Sequence, residues 1–238
     1  MIVFAAIAPH GDLDDIPPLR AAMEELGRRF DAAAPDVAVV VTPHNVHVER
    51  HFAVVTAARV GEWEVDRQAA HALLAADLPI LGVSYGGNVP EQAEMPLDWG
   101  TEVPLAFMRA PRVVVVSPAR DLPLELHVDL GRAIASDKLL QGRRVALIAS
   151  ADHGHAHDAD GPYGFDPAAA EYDARLLDIL ASDRLDFLPL AGLVEAARAD
   201  SLWQLLVLQG AMGEAARADL LAYEVREYFG MAVAEVSA

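Results

Sequence analysis

The chain has 238 residues, with 18 Lys and Arg against 36 Asp and Glu, a formal net charge of −18, nine histidines and no cysteine. That length suits one large α/β domain or two small ones, and about 70% or more of the unfolded surface can be buried at this size, so the core needs no covalent staples. The absence of cysteine excludes disulfides, thiolate metal sites, iron–sulfur clusters and a thiol nucleophile; the acidic balance argues against nucleic acid or an anionic membrane as partner, no apolar run reaches the ~20 residues of a bilayer span, and Met1-Ile2-Val3 opens directly in a strand pattern with no leader, so a cytoplasmic globular protein is expected.

Apolar runs rich in Val and Ile predict buried strands at Ile2–Ala8, Val37–Val41, Phe52–Val60, Val113–Ser117 and Val145–Ser150. Runs apolar on both faces, separated by amphipathic stretches, indicate a largely parallel sheet covered on both sides. Helices are predicted at Pro18–Phe30, Val65–Ala76, Leu124–Ala135 and Pro167–Ala181. The alanine-rich C-terminal third reads as mostly helical from about Ala191 to Leu221, with a last strand near Met231–Val236. The Pro- and Gly-rich stretch from Gly86 to Pro104 reads as a long ordered loop of the kind that carries function. No linker, low-complexity tract or repeat interrupts the chain, so residues 1–238 are expected to form a single α/β domain with a mostly parallel central sheet and helices on both faces.

Chemistry concentrates where strands end. The first strand runs into Pro9-His10-Gly11 and the second into Pro43-His44-Asn45. In open α/β sheets ligands bind beyond the carboxyl ends of the strands, so two imidazoles could meet at one site; the plainer reading is that each caps a turn. After Val145–Ser150 comes Ser150-Ala151-Asp152-His153-Gly154-His155-Ala156-His157-Asp158. Neutral imidazole is a metal ligand and also the usual general base near neutral pH. Asp98-Trp99-Gly100 reads by composition as a turn into an apolar segment, and Asp200 or Ser201 as a helix N-cap. His51, His71 and His127 form no cluster with other histidines and read as structural or surface residues.

All nine histidines lie at or before position 157. His-x-His-x-His-Asp is loosely similar to a dinuclear hydrolase motif, but that fold needs later histidines and places its Asp differently. A mononuclear site of two early His and one late carboxylate, with open positions, is the arrangement of non-haem Fe(II) oxygenases.

The two Pro-His segments, Asp98-Trp99-Gly100 with Pro104-Leu105, and Ser150-Ala151-Asp152 with His155 occur in the order that resembles class III (LigB-type) extradiol ring-cleavage dioxygenases, with the related Memo family as nearest neighbour. The resemblance spans Pro9 to Gly210. It implies a LigB-like fold and an iron(II) enzyme, with zinc or manganese as other metals the same ligands accept, that opens a small aromatic diol with O2 and forms a homo-oligomer. By position, His10, His44 and Asp200 match the metal ligands, with Glu195 as the reserve carboxylate, and His155 matches the catalytic acid–base. Many members carry His where this chain has Trp99. Either the substrate departs from the usual catechol or a nearby His takes the substrate contact, His153 being the candidate and His157 the alternative. A Memo-like metal protein without dioxygenase activity and a zinc-dependent hydrolase in the same pocket are the competing readings.

Overall fold

A computed structural model describes the chain except for Gly87, Asn88, Pro90 and Glu91. The elements in chain order are β1 (Ile2–Ala8), α1 (Pro17–Ala33), β2 (Val37–Val41), β3 (Phe52–Val55), β4 (Arg59–Val60), β5 (Trp63–Glu64), α2 (Arg67–Leu74), β6 (Ile80–Val83), β7 (Glu94–Met95), α3 (Trp99–Leu105), β8 (Val113–Ser117), α4 (Leu124–Ile134), α5 (Asp137–Leu140), β9 (Val145–Ser150), α6 (Pro167–Ala181), α7 (Leu202–Met212), β10 (Arg217–Arg226) and β11 (Phe229–Ser237).

The main sheet has the order β10-β11-β1-β9-β2-β8-β3-β6, and β5-β4-β7 form a small second sheet. β1, β9, β2 and β8 are mutually parallel neighbours. β3 runs antiparallel to β8 and parallel to β6, and β11 closes antiparallel on β1. The period-2 geometry of a strand explains why these runs are apolar throughout. Ala5, Ile7, Val37, Val39 and Val41 enter the core shared with α2, α4, α6 and α7, while Phe4, Ala6, Ala38 and Val40 enter the core under α1. Among the described residues no helix is long and apolar enough to cross a membrane.

α7 is buried all round from Leu202 to Gln209, which accounts for its lack of a polar stripe. It packs on α4 through glycines: a methyl group at Gly131 would sit 2.0 Å from the Val207 carbonyl oxygen, and one at Gly210 would sit 2.0 Å from that of Val128. Backbones this close seat the C-terminal half of α7 on α4.

Four expectations need correction. The run expected at Phe52–Val60 leaves the main sheet at Val55, and Arg59–Val60 joins the small sheet instead. The helix expected at Val65 begins at Arg67, where the Asp66 carboxylate caps the Ala69 N–H. The Gly86–Pro104 stretch is not all loop: it contains β7 and most of α3, and its residues 87, 88, 90 and 91 lie outside the described residues. The C-terminal third holds only α7 and a short 3-10 turn at Leu188–Gly192 before a long hairpin, β10–β11. Alanine favours helix over Arg217–Ala222, but Gly213, at φ 81°, ends α7, and pairing with β11 overrides local propensity.

His127 on α4 is fully buried, edge-on to Phe52 with ring centroids 4.9 Å apart, and its Nδ1–H donates to the Pro123 carbonyl at 3.2 Å. Burial pushes its pKa down from 6.5 to about 4 against the pull of the nearby carbonyls. The unfolded chain therefore takes up this proton first. The contribution is intact above pH 6.5 and is lost as pH falls from there towards 4, at up to about 1.4 kcal/mol per pH unit. In denaturant titrations at pH 7, 6 and 5, His127→Gln is expected to show a shallower loss of stability than the parent; equal slopes would remove His127 as the source.

Candidate metal centre and its cavity

The four parallel strands deliver their carboxyl ends to one edge of the sheet. His10 follows β1, Asp152 and His155 follow β9, His44 follows β2 and Arg120 follows β8, while Asp200 arrives from the opposite side on the turn before α7. The Nε2 atoms of His10 and His44 are 2.9 Å apart. One oxygen of Asp200 lies 3.4 Å from His10 Nε2 and 3.6 Å from His44 Nε2. His10, His44 and Asp200 each offer a ligand atom, all within 4.8 Å of one another. Donors about 2.1 Å from one ion and at right angles to each other lie roughly 3 Å apart, so these spacings fit a single small divalent cation. The other Asp200 oxygen is buried and has no hydrogen-bond partner among the described residues, as expected of a carboxylate that a cation would complete.

A second carboxylate shares the site. Asp152 accepts the His10 backbone N–H at 3.1 Å, and its other oxygen is 3.4 Å from His10 Nε2. His10 Nδ1 meets the Ser150 hydroxyl at 3.1 Å, which leaves Nε2 as the nitrogen turned towards the carboxylates. Burial by itself lowers the His10 pKa, but Asp152 and Asp200 overturn that and raise it from 6.5 to about 9. Burial likewise favours the neutral acid at Asp200, yet hydrogen bonds from His10 and His44 hold its carboxyl well below the usual range, whereas desolvation pushes Asp152 upward. The site attracts positive charge.

Asp98 braces the second histidine. Its Oδ1 accepts from the Thr42 hydroxyl at 2.6 Å and from the Thr101 N–H at 3.0 Å, and its Oδ2 accepts from Asn45 at 2.9 Å and the Thr101 hydroxyl at 2.8 Å. One buried carboxylate thus caps α3 and ties the β2 loop carrying His44. Gly100 permits the approach, since a methyl group there would lie 2.3 Å from Thr42 Oγ1. Trp99, half exposed, stacks on His44 with centroids 4.3 Å apart and planes tilted by 32°.

His155 Nδ1 is 2.6 Å from the His153 carbonyl. That oxygen can only accept, so Nδ1 carries the proton and Nε2 of the neutral ring is an acceptor. His155 stacks on Phe229 at 5.4 Å, with Tyr163 and Tyr228 alongside. The histidine-rich segment is pinned by the hairpin: the His153 and His157 N–H groups donate to the Gly230 and Tyr228 carbonyls, and the Gly230 N–H to Gly154. Asp173, buried on α6, accepts from the Gly154 N–H at 2.8 Å, the Tyr223 hydroxyl at 2.7 Å and His157 Nε2 at 2.8 Å.

A cavity of about 840 Å³ opens over these groups, lined by His10, His44, Asp152, His155, Asp200, Trp99 and the aromatic wall. Glu195 also lines it, exposed and outside the three-ligand group. His153 is not on the cavity wall, which corrects its expected substrate contact. It is fully buried with Nδ1 against the Ser201 hydroxyl at 3.0 Å, and burial lowers its pKa to about 4. Ser201, the residue before α7, is held there together with the Tyr172 hydroxyl, and Asp200 turns to the histidines rather than capping the helix. The sequence reading missed Asp98 and Asp173 as braces. The first carried the signal of a helix N-cap residue, and the second the signal of an acid on the apolar face of α6, beside Tyr172 and Leu176.

Replacing Asp98 by Ala leaves three side-chain donors and one N–H without their acceptor. We expect a loss of stability above the ~1 kcal/mol of a lost N-cap, nearer 2–3 kcal/mol for stranded buried polar groups, measured by chemical denaturation. A loss confined to the capping value would show that the Thr42 and Asn45 contacts contribute nothing.

The family model for the catalytic LigB subunit of aromatic ring-opening dioxygenase matches residues 8–234. Protein CA_C1420 of Clostridium acetobutylicum is 23% identical over an alignment of 184 residues that covers 68% of this chain and 39% of that protein. The chain thus spans about two-fifths of the length of this curated relative. The crystal structure of the uncharacterized protein JW3007 from Escherichia coli K12 superposes with a TM-score of 0.67 over 99% of both chains at 16% identity, a likeness of fold alone. With its strand-end histidines and carboxylate inside a match that runs nearly from end to end, the chain belongs to the LigB family.

Proposed function

We propose that the protein is an extradiol ring-cleavage dioxygenase whose His10, His44 and Asp200 hold iron(II). The observation that carries this reading is the convergence of that triad and of His155, with its tautomer fixed by a backbone carbonyl, in one cavity. Two imidazole nitrogens and one carboxylate oxygen at the cavity would be the donor set of non-haem iron oxygenases. Bound iron(II) supplies a Lewis acid that lowers the diol's pKa and brings the diol and O2 into contact.

The protein's own groups handle position and protons. His155 Nε2 takes the second hydroxyl proton of the diol and returns it during cleavage, because its Nδ1–H stays committed to the His153 carbonyl. Phe229, Tyr228 and Tyr163 keep the ring of His155 in place and line the wall against water. Trp99 covers one face of His44 and limits the directions from which a flat ring can enter. The reaction balances without an external reductant: the carbon–carbon bond beside the diol breaks, both atoms of O2 enter the product, and an open-chain semialdehyde acid results.

The test is anaerobic loading with iron(II), followed by O2 uptake and product absorbance with a panel of catechols. We expect stoichiometric O2 consumption. His10→Ala and Asp200→Ala are expected to lose the iron, Glu195→Ala to keep it, and His155→Ala to keep it while turnover falls 10²–10⁴-fold. Iron-loaded protein that consumes no O2 with any diol would overturn the reading and favour a metal protein of another activity on the same ligands.

A further inference from the structure

His10 and His44 follow strand ends, but no strand delivers Asp200. Its placement depends on the turn over residues 197–201, which is strained. Arg198, two residues before Asp200, has φ 53°, a left-handed conformation that residues other than glycine seldom adopt. Such strain persists only where the surroundings over-determine the backbone. The histidine-rich segment after β9 restrains the turn at both ends. The His155 N–H donates to the Ala197 carbonyl at 2.7 Å, and His153 Nδ1 lies 3.0 Å from the Ser201 hydroxyl oxygen. The Tyr172 hydroxyl, on α6, meets the same Ser201 oxygen at 3.0 Å.

Ser201 stands just before α7, where a serine ordinarily caps the first N–H groups of the helix, yet its side chain makes no capping bond. The hydroxyl is turned sideways instead, towards an imidazole and a phenol that are both fully buried. Burying such groups is costly unless each finds a hydrogen-bond partner. Nε2 of His153 has no partner among the described residues, so Ser201 is the one contact its ring makes through a hydrogen bond there. The same end of α7 also reaches a second ligand. Gln204 Nε2 donates to the Ser150 carbonyl at 3.1 Å, and the Ser150 hydroxyl meets His10 Nδ1 at 3.1 Å. The start of α7 is thus tied to Asp200 through the chain and to His10 through side chains.

We propose that Ser201, clamped between His153 and Tyr172, is a positioning residue for the metal centre, holding the strained turn in the shape that aims Asp200 at His10 and His44. The inference rests on the reading that makes Asp200 a metal ligand. It gives His153 and Tyr172 a task away from the cavity: they touch neither a ligand in it nor the ion, and act through Ser201. A carboxylate on an unclamped turn would swing away from the two imidazoles, and a ligand group that is not held in orientation binds its metal less well.

Cobalt(II) reports on position as well as affinity, because its visible absorption follows the number and arrangement of its donors. The test is cobalt(II) affinity by chelator competition, with the visible spectrum of the loaded protein. Ser201→Ala is expected to weaken binding about 10–100-fold and to change the spectrum. Tyr172→Phe, which removes a single hydroxyl, is expected to move both in the same direction by less. His127→Gln controls for lost stability alone: His127 is equally buried, but it lies on α4 and bonds to Pro123, so affinity and spectrum are expected to stay those of the parent. A folded Ser201→Ala protein with the parent's affinity and spectrum would overturn the inference; where that variant does not fold, a Tyr172→Phe protein with both unchanged would do so. A spectrum altered as much by His127→Gln would overturn it too. In each case loss of cobalt(II) from Asp200→Ala leaves the ligand reading intact, whereas binding that survives Asp200→Ala would remove that reading and this one with it.

Discussion

Asp152 and Asp200 press two carboxylates against a single imidazole, and most of the structure around them serves to make that arrangement tolerable. Each buried carboxylate costs several kcal/mol in lost hydration unless opposite charge and hydrogen bonds offset it. Here Asp152 takes the His10 backbone N–H, and Asp200 takes the ring nitrogens of two histidines. This donor set favours a full positive charge at its centre. A proton on His10 can supply it, as the raised pKa records, and a divalent cation can supply it better, because it satisfies both imidazoles and the carboxylate at once. Three adjacent parallel strands and the buried helix α7 fix the positions of these donors.

The parts of this arrangement that repeat locally could be read from the sequence. β1, β2, β8 and β9 are runs apolar on both faces, and each is followed within two residues by one that breaks the apolar strand pattern: Pro9, Pro43, Pro118 or Asp152. The rule that ligands gather beyond such ends brought His10, His44 and His155 together on paper, and the structure places them around one cavity. What escaped depends on long-range pairing. The Ala-Arg-Ala-Asp-Leu-Leu-Ala stretch has helical propensity, and only its partner strand and the β1 edge beyond it make it a hairpin. His153 looked like one of three equivalent histidines, because residues two apart share a face of a regular strand; the segment is not a regular strand, and His153 goes inward to Ser201 while His155 lines the cavity and His157 meets Asp173. Asp98 and Asp173 looked like ordinary acids because their several partners come from distant parts of the chain.

Trp99, at the position where the resemblance led to an expectation of His, changes the balance of the site. Its indole covers His44 and carries no titratable group. Neither of the histidines considered as replacements is available: His153 is spoken for by Ser201, and His157 by Asp173. On the proposed dioxygenase reading, proton transfer falls to His155; the cavity wall also carries aromatic faces and two arginines.

The pairing of β11 with β1 joins residues near opposite ends of the chain, with Ala6 opposite Glu235 and Ile7 opposite Ala234. The turn end of the same hairpin binds the segment that bears His155, through Gly230 and Tyr228. One hairpin therefore couples two distant stretches of chain: its strand β11 holds the edge of β1, which leads to His10, and its turn end holds the segment that carries His155.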